Sequence, residues 1–168
     1  PYPVSLLTQT ELRIHAEHSV SRGKAAILKA WLLKNGSNPQ YKEVIDVQLN
    51  EQTNYAPYVL GRLFAVLESL QQKANPGINA TIMDRYFNAA CATPSIVFPT
   101  LLKLAQSHLK KLDTGYFIYY DKQMTELCGR LTDSYPARLN LQDQGIFQLG
   151  YYHQKQKFFT KKEENSNV

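Results

Sequence analysis

The chain has 168 residues, of which 43% are hydrophobic and 20% charged. That is about one domain, long enough to bury a real core, too apolar for a disordered tail and too polar for a membrane protein. Nineteen Lys and Arg against fourteen Asp and Glu leave a net charge of +5, which permits a polyanionic partner without demanding one.

No run reaches the roughly 18 uninterrupted apolar residues of a membrane span, and the opening PYPVSLLTQTELRIH lacks the pattern of a secretory signal. A soluble cytoplasmic protein is expected. In chain order, a first helix is expected at Val4 to Ala16 and a second at about Ser21 to Lys34, stopped by Asn35-Gly36. The second puts Leu28, Trp31 and Leu32 on one side, with Arg22 and Lys29 together on the other. Asn38 to Gln52 reads as a connector, in which Val44 to Leu49 forms a short helix or an isolated strand. The clearest helix is Tyr55 to Ala74, where Leu60, Leu63, Leu67, Leu70 and Ala74 recur at steps of three and four. Asn54 is its expected cap, Pro57 fits the first turn, and Asn75-Pro76-Gly77 ends it.

A further helix opens near Asn79 or Ala80, with Ile82, Tyr86 and Ala89 on one face and Arg85 and Asn88 on another. Thr93-Pro94 then starts a helix whose core side is Phe98, Leu102, Ala105, Leu109 and Leu112; its other face carries Thr100, Lys103, Ser107, Lys110 and Lys111. Pro99 is placed to kink its first turn. Tyr116 to Leu131 is helical, Thr132 to Leu139 a connector, and a capping-box-like Asn140 to Asp143 opens a last helix reaching about Phe159. The outcome is one all-α domain over residues 1–162, a helical bundle of six or seven mostly antiparallel helices, with residues 163–168 a disordered C-terminal tail.

Chemistry is sparse. His15, Glu17 and His18 form H-x-E-H, which supplies two ligands at helical spacing without a third. Cys91 and Cys128 lie in apolar helical patterns without CxxC spacing and read as buried thiols. There is no glycine-rich phosphate loop, no GxSxG elbow and no carboxylate pair of nuclease type, so no enzyme activity, metal, cofactor or small-molecule substrate is expected. Charge is more informative by position. Thirteen of the nineteen cations fall in three windows without acids, Glu17 to Glu43, Asp84 to Asp113 and Asp143 to Glu163.

In the last window His153, Lys155, Lys157, Lys161 and Lys162 interleave with Tyr151, Tyr152, Phe158 and Phe159. Single-strand binders use this mixture, and so do terminal helices whose aromatics are core and whose lysines are solvated. Gly145 and Gly150 each cost about 1 kcal/mol inside a helix, which points to close packing against a neighbour.

Three segments together carry a resemblance: YVLGRLFAVLESLQQKAN from Tyr58, NATIMDRYFNAACATPSIVFPTLLKLAQSHLKKL from Asn79, and QGIFQLGYYHQKQKFF from Gln144. They resemble the C-terminal helical region of the large subunit of type I-C CRISPR Cascade, also made as the separate small subunit from an internal start. The resemblance implies a non-catalytic helical bundle that lines the complex and contacts guide RNA and target DNA strands. Its other implied partners are the backbone subunits and the large-subunit N-terminal domain, which reads the protospacer-adjacent motif.

Such complexes leave sequence reading to base pairing, so a positive, shape-matched surface suffices. On the matching motifs the implied nucleic-acid-binding residues are Arg62, Arg85, Lys103, Lys111, His153 and Lys155, joined on charge grounds by Arg22, Lys29 and Lys110. The alternative is a helical protein-interaction adaptor without direct nucleic-acid contact, which exposed apolar patches with mixed-sign charge favour over one continuous positive groove.

Overall fold

A computed structural model describes residues 17–36, 39–45, 49–131 and 135–166. Seven helices and no strand occur among them: α1 (Glu17–Asn35), α2 (Gln40–Ile45), α3 (Ala56–Ala74), α4 (Ile82–Ala92), α5 (Pro94–Leu109), α6 (Thr114–Gly129) and α7 (Leu141–Ser166). The helix expected at Val4 to Ala16 and the His15 of the H-x-E-H motif lie outside the described residues. Within the connector a short helix stands at Gln40–Ile45, as α2, earlier than the Val44 to Leu49 segment, of which residues 46–48 lie outside the described residues. The last helix continues to Ser166, past the end at about Phe159 read from the sequence.

The bundle is built around α3, in which every residue from Pro57 to Glu68 is buried. A leucine stripe alone marks one buried face. Val59, Phe64 and Val66 fill the remaining circumference, and a helix that is apolar all round belongs in the interior. Helix α7 packs along α3 most extensively, α1 covers α7, and α5 and α6 close the other sides of α3. Helix α4 bridges α3, α5 and α7.

Two glycines set the α3–α7 crossing. A Cβ on Gly61 would fall on the backbone of Phe147 and lie 2.9 Å from Tyr151 N, and one on Gly150 would fall on the backbone of Tyr58. Gly145 is looser, with Leu32 and Trp31 side chains 3.4 Å from a Cβ there. The close approach lets Phe64 meet both Phe147 and Tyr151 edge-on, at ring-centroid distances of 6.1 Å.

Local signals explain the helix starts. Thr81 and Asp84 form a capping box on α4, and buried Gln71 of α3 accepts from Ile82 N at 2.8 Å, tying that start to the core. Asn140 Oδ1 accepts from Asp143 N at 2.9 Å at the start of α7. Tyr55, not Asn54, is the N-cap of α3, with Pro at its first turn. Thr93 caps α5 by backbone only, its hydroxyl donating to Ala89 O at 3.1 Å. Helix α5 runs through Pro99, which stands exposed, and buries Val97, Phe98, Leu101, Ala105 and Leu109. Cys91 is buried, Cys128 half-buried, and both are free thiols.

Candidate nucleic-acid interface

The nine residues singled out from the sequence divide into separate groups. Arg22 is exposed and Lys29 half-buried on α1, which packs on α7 rather than on α5. Arg85 is exposed in the first turn of α4. Lys103, Lys110 and Lys111 are all exposed, on α5 and just beyond its end. Lys103 and Lys110 are seven residues apart, two turns, so they share one stripe about 10 Å long. Lys103 also lines a groove of about 610 Å³ between α5 and α6, to which Asp121 contributes.

The end of that stripe is a polar cluster. Lys111 Nζ donates to Asn75 Oδ1 at 2.7 Å, and Asn75 Nδ2 lies 3.1 Å from His108 Nδ1. Burial, then the charge of Lys111, lowers the His108 pKa, which keeps the ring neutral at physiological pH. Lys73, from the last turn of α3, sits 3.8 Å from the ring centroid of Tyr116.

Arg62 and His153 do not stand on the open surface with the other cations but inside the bundle, 3% and 2% exposed. Their helices pack face to face, so their polar atoms find partners within the protein. Arg62 Nε donates to Gln154 Oε1 at 3.0 Å and Nη1 donates to Asn50 O at 3.1 Å. Burial lowers the guanidinium pKa from its ordinary value, opposed by Tyr58, Glu51 and Glu126 nearby.

His153 Nδ1 lies 2.8 Å from Tyr58 OH, which itself accepts from Asn50 N at 3.1 Å, so phenol and imidazole are hydrogen-bonded to each other inside the bundle. Burial, with the charges of Lys29 and Arg62, pulls the His153 pKa down to about 3, and burial pushes the Tyr58 phenol up to about 12. Lys155 stands at the edge, 3.2 Å from buried Glu68, whose Oε2 also accepts from Tyr151 OH at 2.7 Å. Tyr151 and Tyr152 are therefore core, and Phe158 packs against the core partly buried.

The aromatic run that does reach the surface is on α6. Tyr116, Phe117, Ile118 and Tyr119 are 42%, 40%, 59% and 37% exposed. Four consecutive residues sweep about 300° of a helix, so they cannot all face one core. The run TGYFIYY carried that signal in the sequence. Charges along α6 are mixed, with Asp113 at its cap and Asp121, Lys122 and Glu126 within it.

Among the described residues no group of three or more His, Cys, Asp or Glu is placed to hold a metal, and no helix is long and apolar enough to cross a membrane. The sequence model of the CRISPR-associated protein family Cas_Csd1 matches residues 1–159. The chain belongs to that family. A comparison with curated proteins finds no match. Membership in a CRISPR-associated family points to a complex with other Cas proteins.

Proposed function

We propose that this chain is a non-catalytic part of a type I-C CRISPR surveillance complex that holds nucleic-acid backbone without reading sequence. The family match over residues 1–159 carries the proposal. The exposed stripe of Lys103 and Lys110, ending beside Lys111, supplies the charge it needs. Phosphate contacts of this kind position a strand and leave base identity to pairing with the guide. The strands bound would be the target or displaced DNA or the guide RNA, with the backbone subunits and the large-subunit N-terminal domain as neighbours.

Single-stranded DNA titrated into the protein at several salt concentrations tests this. Binding should be indifferent to sequence and fall steeply with salt. Lys103→Ala with Lys111→Ala should lower the salt slope by up to about 0.7 for each phosphate that the variant no longer neutralises. Equal binding by wild type and double variant in the assembled complex at low salt would return these lysines to solvated surface.

A second reading has one specific observation in its favour: the exposed apolar run on α6 with its mixed-sign charge is the signature of a protein-docking face. An adaptor of that kind binds a Cas protein with weak salt dependence and leaves single strands unbound.

A further inference from the structure

Arg62 has a second aspect that its burial conceals. A guanidinium keeps its proton in a protein, so an Arg drawn into the interior brings a charge that must be compensated. Here its two hydrogen-bond acceptors, Gln154 Oε1 and Asn50 O, are both neutral. No carboxylate of the described residues forms an ion pair with it. The nearby acids are committed elsewhere, Glu51 to Lys157 and Glu126 to Arg130.

The side chain opens onto a pocket of about 280 Å³ between α3, α6 and α7, lined also by Tyr119, Lys122, Gln123, Glu126 and Lys157. Gln123 Nε2 in its wall is buried and has no acceptor among the described residues. Among the lining residues three cations meet one acid; Glu51 and Glu126 lie near enough to favour the charge of Arg62 but pair with Lys157 and Arg130, so neither Arg62 nor Lys122 has a carboxylate in ion-pair contact among the described residues. A fixed planar donor, a second ammonium and an amide N–H together suit a compact anion with several acceptor oxygens. The volume lies just below the roughly 300 to 1,000 Å³ of ordinary ligand pockets, which suits a phosphate group with part of one nucleotide.

We infer that this pocket seats a phosphodiester of a bound strand, with Arg62 and Lys122 on the phosphate and the adjoining sugar or base against Ile118 and Tyr119. The inference rests on the proposed function and deepens it. It gives the strand a second point of attachment, on the α6 side, apart from the lysine stripe of α5. It also sets the flat apolar faces of the strand against the exposed side of Ile118 and Tyr119.

The test uses the full chain labelled with nitrogen-15, following the Arg62 Nε–Hε resonance while a short oligothymidylate, or inorganic phosphate, is added. The oligonucleotide should shift that resonance. Lys122→Glu, an exposed change that leaves the core untouched, should weaken oligonucleotide binding by about tenfold and lower the salt slope by about 0.7. If the oligonucleotide binds through Lys103 and Lys111 while Arg62 stays unmoved and Lys122→Glu binds like wild type, the pocket inference falls and the proposed function stands. If inorganic phosphate alone moves Arg62 and the oligonucleotide does not bind, the site holds a free anion and both are overturned.

Discussion

Gly61→Ala should destabilise this protein, although the same change at an ordinary helical position stabilises. Alanine in a helix interior gains about 1 kcal/mol over glycine. At Gly61 the new methyl would lie 2.8 Å from the carbonyl carbon of Phe147 and 2.9 Å from Tyr151 N, where contacting carbons prefer about 3.5 to 4.0 Å. These are backbone atoms and cannot rotate aside, so α7 must move off α3 by about an ångström. That shift loosens the Phe64 contacts with Phe147 and Tyr151 and strains the Arg62–Gln154 and Tyr58–His153 hydrogen bonds. Overpacking costs about 1 to 3 kcal/mol and each weakened hydrogen bond about 1 kcal/mol, so the net loss is about 2 to 4 kcal/mol.

Gly129→Ala is the control. A Cβ there meets nothing within 4 Å and its φ is not positive, so it should stabilise by about 0.4 to 1 kcal/mol. Urea melts followed by circular dichroism read both, and in heat each kcal/mol moves Tm by about 2 to 4 °C for a domain of this size. Equal stability of the two variants would refute the close-approach argument for the α3–α7 crossing.

His153 is neutral in the fold, with its pKa near 3, and takes a proton near pH 6.5 when unfolded. Acid therefore favours the unfolded chain, and stability should fall by up to about 1.4 kcal/mol per pH unit from about 6.5 down towards 3. His108, also held down by burial, adds in the same direction, so His153→Gln should remove only part of the slope; an unchanged slope would mean that His153 is hydrated. Leu67→Ala, at a site 2% exposed, should cost about 2 to 5 kcal/mol in the same melts, and a loss under about 1 kcal/mol would put that face at the surface. Cys91, whose thiol burial pushes up to about 12, should resist thiol reagents in the folded protein, and rapid labelling in native buffer would contradict its burial.

The fold was largely legible because its signals are local. The leucine spacing of α3, Thr93-Pro94 before α5 and the Asn140–Asp143 box before α7 each act within a few residues. The site was less legible, because whether a cation is exposed depends on what packs over it. Arg62 and Lys103 look alike in a charge count. One lies on a helix enclosed on all sides, the other on the outer face of a helix with a single buried stripe. The same holds for aromatics: Tyr151 and Tyr152 sit among lysines and are core, while Tyr116 to Tyr119 begin near acids and are exposed. Gly61 was missed as a packing residue because its partners, Phe147 and Tyr151, are remote in sequence.

The exposed α6 run and the lysine stripe make opposite demands on a partner, and salt separates them. Large apolar side chains each gain about 1.5 to 3 kcal/mol on full burial, so leaving Phe117 and Ile118 at 40% and 59% exposure forgoes a sizeable part of that in the isolated chain. A partner that covers them recovers it with little dependence on ionic strength, because the driving force is release of water from apolar surface. Contacts of Lys103 and Lys110 with phosphate weaken as salt rises, because they are driven by counterion release. Substituting Phe117→Ala and Lys103→Glu separately, and measuring assembly with the other Cas proteins across a salt series, should therefore give two distinct losses. The Phe117 change, outside the Arg62 pocket, should weaken association about equally at low and high salt, whereas the Lys103 change should cost most at low salt and converge on wild type as salt rises. Identical salt profiles for the two variants would mean that a single partner covers both surfaces by one mechanism, and the division of labour between α5 and α6 would fail.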